Sequence, residues 1–224
     1  MSGFMNRDFQ FSVGELYHIY NRGNDKRNIF LNEVNYSRFV KLLFLCNGTS
    51  SIVFKSIPPA KLFHFKRGSQ LIDIGAYCLM PNHFHLLVKE KVENGISDFM
   101  KKLSTAYSMY FNLKYRRTGK LFEGAFKAKH ISEDEYLKYL YAYIHLNPIK
   151  LIEPKWKETG IKDKKQAAAY LKKYRFSSYL DFMGQSREEK YILNRNEFPK
   201  YFTKPTNFSA LINEWLIQGE TLEI

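Results

Sequence analysis

The sequence predicts a small α/β sandwich. Three observations carry that prediction: short apolar runs bounded by turn residues, longer stretches between them whose apolar side chains recur at helical spacing, and a hydrophobic content of 45% in 224 residues. That content suffices for a substantial single core.

Leu16 to Asn21 reads as the first strand, and Arg22-Gly23-Asn24-Asp25 closes it with residues that permit a turn. Val34, Phe39, Val40, Leu42, Leu43 and Phe44 then fall at helical spacing over roughly three turns. Two strands follow, Ile72 to Leu79 and His83 to Lys89, joined tightly through Met80-Pro81-Asn82. A helix from Ile96 to Tyr115 gathers Phe99, Leu103, Ala106, Tyr107 and Tyr110 on one side. Ala125 to His130 supplies a fourth strand. The next helix begins near Ser132, a candidate N-cap followed by Glu133, Asp134 and Glu135, whose charges suit the positive end of the helix dipole.

Two regions fit this order less well. Asn47 to Gln70 is long for a connection and contains Pro-Pro and Lys-Arg-Gly-Ser, so it reads either as an insertion with short strands of its own or as a mobile loop. Residues 185–224 form a C-terminal extension of mixed charge, with Pro199, Pro205 and a short helix expected from Ser209 to Trp215. The remaining residues, 1–184, constitute one main domain.

Lys and Arg total 35 against 22 acids, a formal charge of +13, which favours an anionic polymer as partner and nucleic acid over a membrane surface. A balance that only aids solubility is the plainer reading. Cys46 and Cys78 lack paired spacing and read as reduced, buried thiols of an intracellular protein. With no leader-like opening and no apolar run near the roughly 20 residues that span a bilayer, the sequence argues against secretion and membrane insertion.

Chemistry concentrates in two strings, Met80-Pro-Asn-His-Phe-His-Leu-Leu87 and Tyr143-Ile-His-Leu-Asn-Pro148. His83 and His85 are two apart in a strand, so both imidazoles leave one face. Tyr143 and Asn147 are four apart at helical spacing and share a face as well. Two imidazoles and an amide can hold one divalent cation, and a phenol beside them can cut a phosphodiester by covalent attack. Taken singly, each residue has an ordinary explanation: a packed strand histidine, a helix terminus before Pro148, one of 16 tyrosines. Tyr107, Tyr110 and Tyr115 are rival phenols, better read as packing or base-stacking groups.

These strings closely resemble the Y1 (HUH) single-strand DNA transposases of the IS200/IS605 type, and most of all their REP-associated tyrosine transposase relatives. The resemblance runs from Glu15 to about Gly184. It includes Tyr17-His-Ile-Tyr-Asn-Arg-Gly23, Tyr110-Phe-Asn112, Gly119-Lys-Leu-Phe-Glu-Gly124 and Tyr174-Arg-Phe-Ser-Ser-Tyr179. It implies a ferredoxin-like (RRM-like) fold, with helices packed on one face of an antiparallel sheet. It also implies a site in which His83, His85 and Asn147 bind Mg²⁺ or Mn²⁺ and Tyr143 forms a 5′-phosphotyrosine. Ligand softness alone favours Mn²⁺, with zinc as a structural alternative. The implied partner is single-stranded DNA folded into a hairpin with a short flanking tag, and the implied setting is cytoplasmic, on nucleoid DNA, in a bacterium. Relatives of this kind work as dimers or as monomers.

Basic and aromatic residues mingle from Lys114 to His130, a combination that neutralises phosphates and stacks on unpaired bases. Asn21, Arg22, Arg116, Arg117, Lys120, Lys127 and Lys129 are the candidate nucleic-acid contacts. Ala125 departs from the arginine common at that place in the family, which leaves Lys127, Lys129 or Arg116 to supply the phosphate contact. Two further functions stay open: a non-catalytic RRM-like nucleic-acid-binding module or regulator, and phosphodiester hydrolysis by water without a covalent intermediate.

Overall fold

The computed structural model describes residues 10–218, so the outermost parts of the expected main domain and extension, 1–9 and 219–224, lie outside the described residues. Four strands, β1 (Leu16–Arg22), β2 (Ile72–Met80), β3 (His83–Glu90) and β4 (Lys127–Ile131), form one antiparallel sheet in the order β2-β3-β1-β4. Helices α1 (Glu33–Leu45) and α2 (Gly95–Lys114) lie between β1 and β2 and between β3 and β4. The order β-α-β-β-α-β and the sheet order together make the ferredoxin-like arrangement that the family resemblance implies.

Each strand is placed by what its alternate residues bury. Tyr17 and Ile19 of β1 and Phe84, Leu86 and Val88 of β3 face α1 and α2, where Phe39, Leu43, Phe99, Leu103 and Tyr107 complete one core. Leu87 and Ile131 point the other way. That second face is not left open. Helix α3 (Asp134–Leu146) covers it, followed by a 3-10 turn (Asn147–Leu151), α4 (Trp156–Thr159), α5 (Lys164–Leu171), α6 (Tyr179–Phe182) and α7 (Pro205–Gln218). Ala76, Cys78, Met80, Leu140, Ile144, Phe182, Phe208 and Ile212 form a second core there. The one-face packing implied by the resemblance thus describes α1 and α2 alone, because β2 is apolar at both parities and must be covered twice.

The C-terminal half also closes the β2 edge. Leu79 N–H donates to Phe176 O (2.9 Å), Ser178 N–H to Tyr77 O (2.9 Å) and Asn194 N–H to Ile74 O (2.9 Å), so an edge that could pair with another chain is satisfied internally. Gly75 lets this packing come close: a Cβ there would stand 2.7 Å from the Phe198 ring. The opposite edge, β4, stays exposed and carries Lys127 and Lys129, whose charge discourages edge pairing.

Several boundaries differ from the sequence expectation. The fourth strand starts at Lys127 rather than Ala125, after Gly124 takes a positive φ of 67°. Helix α3 starts two residues beyond Ser132. Its N-cap position is Glu133, which makes no side-chain cap, and Asp134 bonds Tyr201 and pairs with Lys138 at 2.7 Å instead. The helix expected at Ser209 to Trp215 spans Pro205–Gln218. The 47–70 segment forms two 3-10 turns, Phe54–Ser56 and Pro59–His64, and no strand. It packs through buried Ile57, Leu62 and Phe63, and Asn47 bridges it to β2 by accepting from Leu71 and Ile72 N–H (3.1 Å each). Cys46 and Cys78 are free and buried, and burial raises both thiol pKa values, Cys46 to about 12, so they are inert.

His145 ties α3 to this scaffold. Its Nδ1–H donates to Tyr141 O (2.7 Å), which leaves Nε2 to accept from the Ser178 hydroxyl (2.7 Å) beside the β2 edge. Burial pushes its imidazole down to about 3, against an unfolded value of 6.5. Between those values the unfolded chain binds the extra proton, so this stabilisation is complete above pH 6.5 and is lost as pH falls toward 3. His145 is expected to contribute about 1.4 kcal/mol per pH unit to the slope, on top of like contributions from His18, His83 and His85, which burial also lowers. Denaturant titrations at pH 7, 6, 5 and 4 measure it. A midpoint that stays constant over that range would contradict a neutral, buried His145.

Candidate active site

The hairpin between β2 and β3 positions the first imidazole. Gly23 N–H donates to Asn82 O (2.8 Å), while Ile29 and Phe30 N–H donate to Pro81 O (2.8 and 3.0 Å), fixing the two-residue turn. Gly23 is needed there, since a Cβ would meet Arg27 O at 2.2 Å. Asn82 Nδ2 donates to Lys26 O (3.2 Å), so its Oδ1 is the acceptor for His83 Nδ1–H (2.6 Å). His83 therefore keeps Nε2 bare.

His85 and its neighbours come from the same face of the sheet. Register pairs Arg22 with His83 and Tyr20 with His85, while Tyr20 and His18 pair with Lys127 and Lys129 of β4. All of these point toward α3. The His83 and His85 rings stand 5.0 Å apart at 86°. His85 Nδ1 lies 2.9 Å from Nε2 of His18, a fully buried residue whose own Nδ1 has no partner among the described residues. In the tautomer where His85 Nδ1–H donates to His18, both His83 and His85 present a lone pair on Nε2, each oriented by an outer partner. That is the arrangement metal-bound histidines adopt.

Helix α3 brings Tyr143 onto these rings. Its ring centroid is 5.3 Å from that of His85 and 6.0 Å from that of His18, and both contacts are edge-on. Asn147, one turn later, donates Nδ2–H to Tyr143 O (2.8 Å). This bond orients the amide and leaves its oxygen as the group's acceptor. Burial raises the Tyr143 phenol above its ordinary value, opposed by the Asn147 amide.

The electrostatics keep the imidazoles neutral. Burial, then Lys150, Lys157 and Arg22, lowers His83 to about 4; burial, then Lys129 and Lys157, lowers His18 to about 3. His85 lies well below its usual value because of burial and the neighbouring His18, His83 and Lys157. Neutral imidazoles are the ligand-competent form. Among the described residues no three of His, Cys, Asp and Glu converge on a metal-sized site. The donor set at the cleft is thus the two imidazoles of His83 and His85, and it fits a divalent cation that draws its remaining oxygen donors from substrate and water.

A cleft of about 630 Å³ opens over the site, lined by His83, His85, Tyr143, Tyr20, Asn21, Arg22, Lys127 and Lys150 among others. Asn147 is buried and is not among the residues that line the cleft. Of the candidate nucleic-acid contacts, Asn21, Arg22 and Lys127 face the cleft, with Arg22 paired to Glu123 through two bonds. Lys120 lines a neighbouring groove along α2 that shares Asn21 with the cleft. Lys129 lies over the Tyr136 ring (4.2 Å), and Arg116 and Arg117 sit just past the end of α2, where Arg117 turns back to Asn112 (3.4 Å). The rival phenols are structural: Tyr107 donates to Ile29 O (2.6 Å), Tyr115 to Asn35 Oδ1 (2.9 Å), and Tyr110 accepts from Asn35 (3.0 Å).

Two residues of the site carried no role in the sequence reading. His18 stood inside a matching run, and its signal was strand parity with Tyr20. Lys157, with its Nζ 3.9 Å from the Tyr143 ring centroid, gave no sequence signal.

A family model described as "Transposase IS200 like" matches residues 16–147, more than half of the chain, from the start of β1 to Asn147. No curated protein matches. Among solved structures, the chain is similar to a REP-associated tyrosine transposase bound to a REP hairpin, at 13% identity, with a TM-score of 0.46 and coverage of 84% of this chain and 90% of that one. It is also similar to a candidate transposase from Deinococcus radiodurans R1, at 15% identity, a TM-score of 0.34 and coverage of 62% and 93%.

Proposed function

Because this chain belongs to the IS200-like transposase family, we propose that it cleaves and rejoins single-stranded DNA beside a hairpin, with Tyr143 as the nucleophile. The observation that carries this reading is the Tyr143 ring edge-on to His85, 5.3 Å away in one cleft of one chain. Tyr143 Oη attacks the scissile phosphorus while the bond from phosphorus to the 3′ oxygen breaks. The phenol proton passes to solvent, and the departing oxygen takes a proton to become a free 3′-hydroxyl. The other piece stays joined to the protein by its 5′ phosphate. A 3′-hydroxyl can attack that phosphotyrosine in reverse and release the phenol, so one bond is exchanged for another of the same kind and no external energy source is required.

His83 and His85 would hold a Mg²⁺ or Mn²⁺ ion with Asn147, and such an ion supplies charge stabilisation at the phosphate. In the tautomer where His85 Nδ1–H donates to His18, His18 and Asn82 orient the two imidazoles with Nε2 available to the ion. Arg22 and Lys127 meet the DNA backbone at the mouth of the cleft. The groove that continues through Asn21 along α2 offers Ser104, Ser108, Asn112 and Lys120 to the flanking strand.

The test is to incubate the protein with hairpin DNA, labelled on either side of the cleavage point, in Mn²⁺. A denaturation-resistant adduct carrying the 3′-side label is expected. Cleavage without any adduct favours hydrolysis by water, and binding without cleavage across several divalent metals favours a non-catalytic module.

Affinity supplies a separate expectation. With a formal charge of +13, the sequence-independent share of binding rests on phosphate neutralisation. Raising salt from 50 to 200 mM should weaken binding of hairpin and scrambled strands alike, by roughly 10²-fold or more, while their ratio holds. Fluorescence anisotropy across that range measures it. A salt-insensitive affinity would remove the basic cleft mouth from the interface.

A further inference from the structure

Lys157 lies ten residues past Asn147, outside the segment that the family model matches, yet it packs on the ring of Tyr143. It is carried by α4, which buried Trp156 anchors against the second core. Its ammonium stands 3.9 Å from the centroid of the Tyr143 ring and is half withdrawn from solvent. Among the described residues no carboxylate lies within ion-pair distance of Lys157, or of Lys150 on the cleft wall beside it. A ring face compensates only part of the cost of holding a cation away from water. The cation is therefore positioned for an anion that arrives at Tyr143.

We propose that Lys157 is a catalytic residue of this site: its ammonium moves from the face of the Tyr143 ring to a non-bridging oxygen of the phosphate as that phosphate becomes joined to Tyr143 Oη. The inference rests on the function proposed above. Negative charge grows on the non-bridging oxygens during the attack and its reversal, and a cation already held against the Tyr143 ring can stabilise that charge with little reorganisation of solvent. Burial, then Lys150, lowers the Lys157 pKa to about 8, which still leaves the group largely charged at neutral pH. No bond to Lys157 forms or breaks, and it donates a charge-assisted hydrogen bond only.

The experiment compares single-turnover adduct formation with labelled hairpin DNA and Mn²⁺ in the full chain and in Lys157→Met, Lys157→Arg and Lys157→Cys. Lys157→Met should slow adduct formation roughly 10²-fold, the scale of one lost transition-state donor. Hairpin affinity and melting temperature should stay near those of the parent. Lys157→Arg should keep most of the rate, since it keeps the charge. Alkylating Lys157→Cys with 2-bromoethylamine restores an ammonium at nearly the same reach, and the new thiol is the accessible target because Cys46 and Cys78 are buried. Recovery of the rate on alkylation supports a role for the charge itself. Lys157→Met acting at the parental rate, or loss of rate that neither arginine nor alkylation repairs, overturns the proposal. Absence of adduct from the parent chain itself would instead sink the function on which it rests.

Discussion

Replacing Tyr143 with phenylalanine is expected to abolish the covalent protein–DNA adduct, with a loss of at least about 10³-fold in single-turnover rate, as befits removal of a nucleophile. The substitution deletes one oxygen and leaves the ring in place. The contacts of that ring with His85, His18, Tyr139 and Lys157 are made by its carbons, so the fold should lose at most about 1 kcal/mol. Hairpin affinity should hardly change. The control is Tyr20→Phe, because Tyr20 is the other phenol on the cleft wall, with its ring 6.0 Å from that of His85. Adduct retained in Tyr20→Phe and missing from Tyr143→Phe identifies the attacking oxygen. Undiminished adduct in Tyr143→Phe would dismiss Tyr143 from the role.

The second large effect is expected at the imidazoles. His83→Ala and His85→Ala should each lower strand cleavage by at least roughly 10²- to 10³-fold while sparing hairpin binding. They differ in what else they disturb. His85 is buried and, among the described residues, is the one hydrogen-bond partner of the His18 ring, so its loss leaves another buried ring unsatisfied and should cost about 1–3 kcal/mol of stability. His83 is less buried than His85, and its partner Asn82 keeps a bond to Lys26, which makes His83→Ala the cleaner variant. Electron paramagnetic resonance of Mn²⁺ provides a reading independent of turnover. Weakened Mn²⁺ binding in both variants is the expected outcome; parental Mn²⁺ affinity together with parental cleavage would place the site elsewhere.

Much of this arrangement could be read from the chain because local rules dictate it. The two-residue spacing of His83 and His85 forces one face, and the four-residue spacing of Tyr143 and Asn147 forces another. The apolar runs and their turn residues locate all four strands to within two residues. What escaped depends on register and on distant packing. His18 reaches His85 diagonally across a strand pair, which becomes visible only once β1 is aligned with β3. Lys157 is one basic residue among 35, and its position follows from how Trp156 anchors a four-residue helix. Ser132 carries the right chemistry for a cap, but β4 runs on to Ile131 and the helix begins only at Asp134. The covering of the second face was legible in part, since Ile72-Asp-Ile-Gly-Ala-Tyr-Cys-Leu-Met80 has apolar residues at both parities.

The closure of the β2 edge bears on how this protein can be recombined with others. Phe176, Ser178 and Asn194 complete the hydrogen bonding of β2, and Phe208 and Ile212 complete the packing of α3. A chimera joined at Asn147 would part the nucleophile helix from those partners and would expose both an apolar sheet face and a strand edge ready to pair with another chain. Working crossover points therefore fall outside the stretch from β1 to α7, and within that stretch the catalytic strings cannot be inherited piecemeal.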